Sequence, residues 1–124
     1  MAKALGKHVL IEFYGCSPET LTKTDYVEKA MINAAKVSNA HIVDALFHQF
    51  QPYGVSGVVV IEESHYTIHT WPEHGYAAID LFTCSEDVMI DKAIQYLEDC
   101  FLPSRIEKVE LDRGLILKLK PEIV

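Results

Sequence analysis

The order of apolar and polar residues predicts a series of short strands and two helices. From Val9 to Phe13 the odd-numbered residues are apolar, which indicates a strand over residues 7–14 with one buried face. Four more segments are short, contain β-branched or aromatic residues and are bounded by turn-forming residues such as proline and glycine. They predict strands at residues 41–50, 57–62, 65–71 and 76–83.

Apolar residues at steps of three and four predict the two helices. The first is expected to start at a cap formed by Ser17-Pro18-Glu19 and to end at Asn39, with an apolar stripe of Val27, Ala30, Met31, Ala34 and Val37. The second is expected to start at Ser85-Glu86-Asp87 and to end at Pro103, with a stripe of Ile90, Ala93, Ile94, Leu97 and Phe101. Two short strands follow at residues 105–111 and 115–120, joined by a turn at Asp112-Arg113-Gly114.

The resulting order, β-α-β-β-β-β-α-β-β, predicts an α+β fold. Several connections are too short for crossover helices, so the sheet is expected to be mostly antiparallel, with both helices on one face. The opposite face would then be uncovered. Burial of that face against a second copy would give a homodimer with four layers, an α/β/β/α sandwich.

Composition limits the classes of function. The chain has 124 residues, 49% of them hydrophobic, which fits a single domain with some apolar surface left for a partner subunit. Its net charge of −7 disfavours nucleic acid as a partner. The three cysteines, Cys16, Cys84 and Cys100, form no paired motif, and no apolar run is long enough to span a membrane, so a cytoplasmic protein is expected.

Candidate chemistry is concentrated between residues 54 and 84. If Ser64 opens its strand, the alternation of side chains places His65, Thr67, His69 and Trp71 on one face. A serine, two histidines and Cys84 on adjacent strands would suit nucleophilic or acid–base chemistry. The alternative from spacing alone is a pair of half-exposed histidines on a sheet.

The run Glu-Ser-His-x-x-Ile-His-Thr-Trp-Pro-Glu, followed by Phe-Thr-Cys, closely resembles the short prokaryotic S-adenosylmethionine decarboxylases. The resemblance also includes His48-Gln49-Phe50 and the segment from Pro52 to Gly57, and it covers most of residues 7–102. It implies a proenzyme that cuts its own backbone between Glu63 and Ser64, giving chains 1–63 and 64–124. Ser64 would become the pyruvoyl group that forms a Schiff base with the substrate.

The resemblance also implies roles for individual residues. Ser64 would attack the Glu63 carbonyl carbon to form an ester, His69 would accept a proton during processing, and Ser56 would donate a hydrogen bond. Cys84 would protonate the substrate carbon after loss of carbon dioxide. The substrate would be S-adenosylmethionine, whose product donates aminopropyl groups for spermidine synthesis, and no metal would be needed.

The nucleoside would lie near Phe50, Trp71 and Glu73, with Phe50 stacked on adenine and Glu73 bound to the ribose hydroxyls. In the short form of the family this pocket lies between two protomers. Purely structural roles stay open for three residues: Phe50 as a core residue, Ser56 as a turn serine and Glu12 as a solvent-exposed residue. Cys16 and Cys100 are interpreted as small apolar residues.

Two other functions are considered. The first is a pyruvoyl-dependent arginine or ornithine decarboxylase on the same scaffold, against which the retained Phe50, Trp71 and Glu73 argue. The second is a non-catalytic α+β dimer that binds a transition metal through His65, His69, His74 and Cys84, although this spacing matches no common zinc pattern.

Overall fold

A six-stranded sheet dominates the computed structural model, which describes residues 3–116. The strands are β1 (Lys3–Tyr14), β2 (Ile42–Gln49), β3 (Val55–Ile61), β4 (Ser64–Trp71), β5 (Tyr76–Thr83) and β6 (Arg105–Ile116). Their order is β2-β3-β4-β5-β1-β6, and all neighbours are antiparallel. The described residues also contain two α-helices, α1 (Thr24–Val37) and α2 (Ile90–Phe101), and 3-10 turns at Pro18–Leu21 and Pro72–His74.

Both helices cover the same face of the sheet, as predicted. Alternate residues of the strands point into one core, among them Ile11 of β1, Ile68 of β4 and Leu81 of β5. The helices contribute Met31 and Leu97, which are also fully buried. The α+β class and the antiparallel sheet are therefore confirmed, and the alternation in β1 places Val9, Ile11 and Phe13 in the core as expected.

The second face of the sheet is not covered by any element of residues 3–116. It carries large apolar side chains that remain exposed, including Leu46, Val60 and Trp71. Polar side chains such as His8, Thr67 and Asp80 lie among them. We call this surface the open face. Within the described range, neither helix is long and apolar enough to cross a bilayer.

Both predicted helix starts were wrong. The first helix begins at Thr24 rather than at Ser17, because Lys23 has an extended backbone and Pro18–Leu21 form a separate 3-10 turn. The second begins at Ile90, since the Ser85 hydroxyl accepts a hydrogen bond from the Asp87 amide and so closes a local turn instead of capping the helix. Asn39 ends its segment with a φ of +68°, as expected, but Val37 is exposed rather than buried.

The C-terminal prediction of two strands was also wrong. β6 is one strand that pairs with β1 from Arg105 opposite Tyr14 to Ile116 opposite Lys3. The segment Asp112-Arg113-Gly114 stays in the sheet, because long pairing with β1 satisfies backbone groups that a turn would leave free. Gly114 takes a φ of +68° without ending the strand. Residues 117–120 of the predicted last strand lie outside the described part of the chain.

A buried hydrogen bond joins the end of α1 to the sheet beneath the open face. The hydroxyls of Ser38 and Tyr66 are 2.8 Å apart and both residues are inaccessible to solvent. We expect Tyr66→Phe to lower the free energy of unfolding by about 1 kcal/mol, because one buried hydrogen bond is lost. The control Tyr96→Phe removes a half-buried hydroxyl bonded to Asn33 and should cost about 0.5 kcal/mol or less. Urea denaturation measures both, and equal costs would contradict the prediction.

Candidate active site

The bond between Glu63 and Ser64 lies at the end of the two-residue loop that connects β3 with β4. Ile61 pairs with Ser64 across this hairpin, so the loop consists of Glu62 and Glu63. Ser64 has a φ of +148°, a conformation that glycine adopts but that residues with a side chain rarely do. Such a backbone is strained by on the order of 1–3 kcal/mol. The surrounding strands, β3 and β5, hold it in place.

The Glu63 carbonyl is polarised by a neighbouring backbone group. Its oxygen accepts a hydrogen bond of 2.8 Å from the backbone N–H of Cys84. This contact follows from the pairing of Ser64 with Thr83, the last residue of β5, which places Cys84 directly beside the loop. Cys84 is exposed and lines an open cleft of about 1150 Å³. The structure therefore brings Glu63, Ser64 and Cys84 together.

The side chain of Glu63 is held by His41, which precedes β2. Oε1 of Glu63 lies 3.1 Å from the backbone nitrogen of His41, and Oε2 lies 2.6 Å from Nδ1 of the His41 ring. Partial burial favours the neutral acid, but the hydrogen bonds from the His41 side chain and backbone outweigh it and lower the pKa of Glu63. The side-chain hydrogen bond also raises the pKa of His41. The pair anchors the residue that precedes Ser64.

The hydroxyl of Ser64 lies 3.3 Å from Nδ1 of His65. The His65 ring packs edge-on against Phe82, its cross-strand partner on β5. Partial burial lowers the pKa of His65, and the nearby His8 and Arg113 lower it further, against the opposing effect of Asp80. The sequence pattern placed His65 with His69 on one face as a candidate for acid–base chemistry, but the resemblance gave it no role in the enzyme. Its position next to Ser64 was the signal available.

His69 and Ser56 form a second cluster on the open face. They are directly opposite each other on β4 and β3, and the serine hydroxyl is 2.7 Å from Nδ1 of His69. The resemblance implied a processing role for each residue but not their contact, which the register explains: both residues occupy the face that alternation assigns to His65, Thr67 and Trp71.

The expected nucleoside-binding residues lie at the same end of the sheet as His69. Phe50 follows β2, is 47% exposed and packs edge-on against His48. Trp71 ends β4 and lies 5.2 Å from Tyr76, measured between ring centroids. Glu73 is exposed in the 3-10 turn and borders a cavity of about 250 Å³ with Tyr53 and Pro72. Exposed aromatic and acidic groups thus converge at this end.

The predicted site residues form two separate groups. The cleavage-bond group contains Glu63, Ser64 and Cys84, and the His69 group contains Phe50, Ser56, His69, Trp71 and Glu73. Ser64 and His69 are five residues apart on one strand, so their Cα atoms are separated by roughly 16 Å. That is far beyond hydrogen-bonding distance. A single chain therefore does not bring the predicted processing base to the predicted nucleophile.

The remaining candidates have local roles. Glu12 accepts a hydrogen bond from the hydroxyl of Tyr76. Cys16 is buried, which raises the pKa of its thiol to about 11, and Cys100 is partly buried beside the core. No group of three or more histidine, cysteine or acidic side chains in residues 3–116 is arranged to hold a metal ion. The metal-binding alternative therefore has no support.

Comparison with known proteins agrees with the geometry. A family profile described as S-adenosylmethionine decarboxylase matches residues 7–114. The chain is 54% identical to an S-adenosylmethionine decarboxylase proenzyme of Thermosipho africanus and 55% identical to one of Thermotoga maritima, in each case over 90% of this chain and 86% of the relative.

A solved structure shares the whole fold. The crystal structure of the adenosylmethionine decarboxylase from Aquifex aeolicus superposes with a TM-score of 0.88 at 34% identity, covering 98% of this chain and all of the other. The match includes the sheet that carries both groups of site residues. On the profile, the relatives and the fold together, this chain belongs to the S-adenosylmethionine decarboxylase family.

Proposed function

We propose that this chain is the proenzyme of a pyruvoyl-dependent S-adenosylmethionine decarboxylase, which cuts itself between Glu63 and Ser64. The observation that carries the proposal is the geometry of this bond. A serine with a strained backbone follows a carbonyl that is already hydrogen-bonded to an N–H group. The names of the relatives, which are proenzymes of this decarboxylase, agree with it.

The strain at Ser64 favours cleavage. Attack by its hydroxyl on the Glu63 carbonyl replaces the amide with an ester and so releases the constraint that the peptide bond places on the chain. The Cys84 N–H donates to the oxygen on which negative charge develops. A pyruvoyl group in place of Ser64 has a planar carbon without an amide nitrogen, so the unfavourable φ no longer exists. Processing therefore relieves a local strain of on the order of 1–3 kcal/mol.

The cleavage-bond group fits the cofactor that would arise from Ser64. The pyruvoyl carbonyl supplies an electron sink for loss of carbon dioxide. Cys84 is the nearest predicted acid: it follows the strand partner of Ser64 and its backbone contacts Glu63. We assign its Sγ–H the delivery of a proton to the substrate carbon after decarboxylation. The adjacent open cleft would attract a cationic substrate, because acidic side chains outnumber basic ones in its lining: Glu86, Asp87, Asp91, Glu110 and Asp112 against Lys7 and Lys92.

The His69 group fits the rest of the substrate. Phe50 and Trp71 offer exposed aromatic faces, which suit an adenine ring and a sulfonium cation. Glu73 is exposed and can accept hydrogen bonds from ribose hydroxyls. These features favour S-adenosylmethionine over arginine or ornithine, which have no ring to stack.

A second copy of the chain would complete the site. The two groups lie at opposite ends of β4, roughly 16 Å apart, and the open face between them is partly apolar. Two copies packed through their open faces in opposite directions would place the His69 group of each over the cleavage-bond group of the other. We therefore propose a homodimer with two shared sites. Such packing also buries Leu46 and Val60, which are exposed in one chain.

Cleavage is tested with Ser64→Ala. This chain lacks the attacking oxygen, so we expect one uncut polypeptide without decarboxylase activity, whereas the unaltered chain gives two fragments. Ser104→Ala is the control, because Ser104 is an exposed serine that bonds only to the backbone of Tyr14 among the described contacts. Denaturing mass spectrometry distinguishes the outcomes. Two fragments from Ser64→Ala would refute self-cleavage at this bond.

The role of Cys84 is tested with Cys84→Ser. Its backbone N–H remains, so processing should continue, but the hydroxyl is a much weaker acid than the thiol. We expect kcat to fall by about 100-fold or more, the usual size of a general-acid contribution. Cys100→Ser, at a partly buried cysteine on α2, should stay near the unaltered rate. Normal turnover by fully processed Cys84→Ser would contradict the assignment.

The shared site is tested by processing between chains. His69→Ala alone should remain full-length. Co-expression with an excess of tagged Ser64→Ala, which retains His69, should restore cleavage of the His69→Ala chain, because the mixed dimer unites the two groups. The control is a chain carrying both Ser64→Ala and His69→Ala, which should restore nothing. If purified mixed dimers hold only uncut chains, the two residues do not act across an interface.

A further inference from the structure

We infer that His65 is the base that takes the hydroxyl proton of Ser64 when this oxygen attacks the Glu63 carbonyl carbon. This inference rests on the self-cleavage proposed above and names the group that starts it. Within one chain His69 lies too far away for the task and is engaged by Ser56. The Ser64 hydroxyl already lies 3.3 Å from Nδ1 of His65, within the loose range typical of a site before reaction.

The ring of His65 is held in place for this contact. It packs against Phe82, whose ring also contacts His8 and Arg113. The ring centroids of Phe82 and His8 are 5.3 Å apart, and the guanidinium carbon of Arg113 lies 5.3 Å from the Phe82 centroid. Arg113 donates to Nδ1 of His8, whose Nε2 lies 3.2 Å from the carboxylate of Asp80. Asp80 also accepts a hydrogen bond from Thr67, two residues after His65. This network fixes the surroundings of the imidazole.

The same neighbours keep the imidazole neutral, as a base must be. Partial burial is the largest cause that lowers the pKa of His65. His8 on β1 and Arg113 on β6 also lower it, and only Asp80 on β5 acts in the opposite direction. The neighbour on β3 is the apolar Val60. With its proton on Nε2, the neutral ring presents the Nδ1 lone pair to the Ser64 hydroxyl.

The step balances without any other reactant. A bond forms between Oγ of Ser64 and the carbonyl carbon of Glu63 as the Oγ proton moves to Nδ1 of His65. The π electron pair of the carbonyl moves to its oxygen, which accepts the hydrogen bond from the Cys84 N–H. The C–N bond then breaks, and the Ser64 nitrogen takes the proton back from His65. An amide has become an ester, and His65 is neutral again. His69 is left with the later removal of the Cα proton.

The first test compares the processing intermediates, amide or ester, that accumulate in different variants. His65→Ala should be cut about 100-fold more slowly than the unaltered chain and should accumulate as an amide that hydroxylamine does not cleave. His69→Ala should accumulate as the hydroxylamine-sensitive ester. Added imidazole should accelerate His65→Ala. His74→Ala, which removes an exposed histidine from the 3-10 turn, should be cut at the normal rate. Cell-free synthesis followed by mass spectrometry gives the time courses.

Three results would overturn the inference. The first is cleavage of His65→Ala at the normal rate, and the second is accumulation of this variant as an ester. The third is slow cleavage that added imidazole does not accelerate, because His65 would then contribute only to packing. Each leaves self-cleavage itself intact. Failure of the proposed function has a different signature, since the unaltered chain would then remain uncut.

The second test does not alter His65. Cleavage of the unaltered chain should slow as the pH falls through the pKa of His65, because the protonated ring cannot accept the Ser64 proton. Arg113→Gln removes a charge that lowers this pKa, so the falling limb should move to higher pH. Arg105→Gln, at the other end of β6 over Tyr14, should leave it in place. An unmoved limb in Arg113→Gln would contradict the inference.

Discussion

The register of β4 between β3 and β5 determines the rest of the candidate site. Pairing with β3 places Ser64 opposite Ile61 and His69 opposite Ser56, while pairing with β5 places Ser64 opposite Thr83. A shift by one residue would move His69 and His65 into the core and Ile68 to the open face. Burial of Tyr66 and Ile68 under the helices therefore holds the polar side chains in position, and stability and chemistry depend on the same alternation.

The division of the site into two groups follows from the same strand. One strand can carry two functional clusters only at separate positions along its length, and here Ser64 and His69 are five residues apart. The core side of the sheet is filled by the helices, so the open face is the surface on which a second copy can complete a site. In the proposed homodimer, the exposed apolar residues of that face would be buried against the second copy.

Sequence patterns predicted most of what depends on local alternation and spacing. The first five strands and the buried positions of β1 follow from a period of two, whereas the contact of Ser56 with His69 depends on the register between β3 and β4. The helix starts did not, because Ser17 and Ser85 satisfy nearby backbone groups in turns of their own. The prediction of a turn at Asp112-Arg113-Gly114 was wrong for a different reason. β6 continues through this segment because it pairs with β1, which lies about a hundred residues earlier in the chain. The contact of His41 with Glu63 is likewise non-local and has no motif.

The sheet order explains how the fold could survive the proposed cut in its own backbone. The fragment before Ser64 contains β1, β2 and β3, and the fragment after Glu63 contains β4, β5 and β6. In the sheet these strands interleave, since β3 pairs with β4, β5 pairs with β1, and β1 pairs with β6. Three complete strand pairs, together with the packing of α1 on α2, thus join the two fragments. The Glu63–Ser64 bond closes only a two-residue loop, and His41, in the same proposed fragment as Glu63, holds the Glu63 side chain. The proposed cleavage would therefore change the chemistry of residue 64 while the strand pairs that position it stay intact.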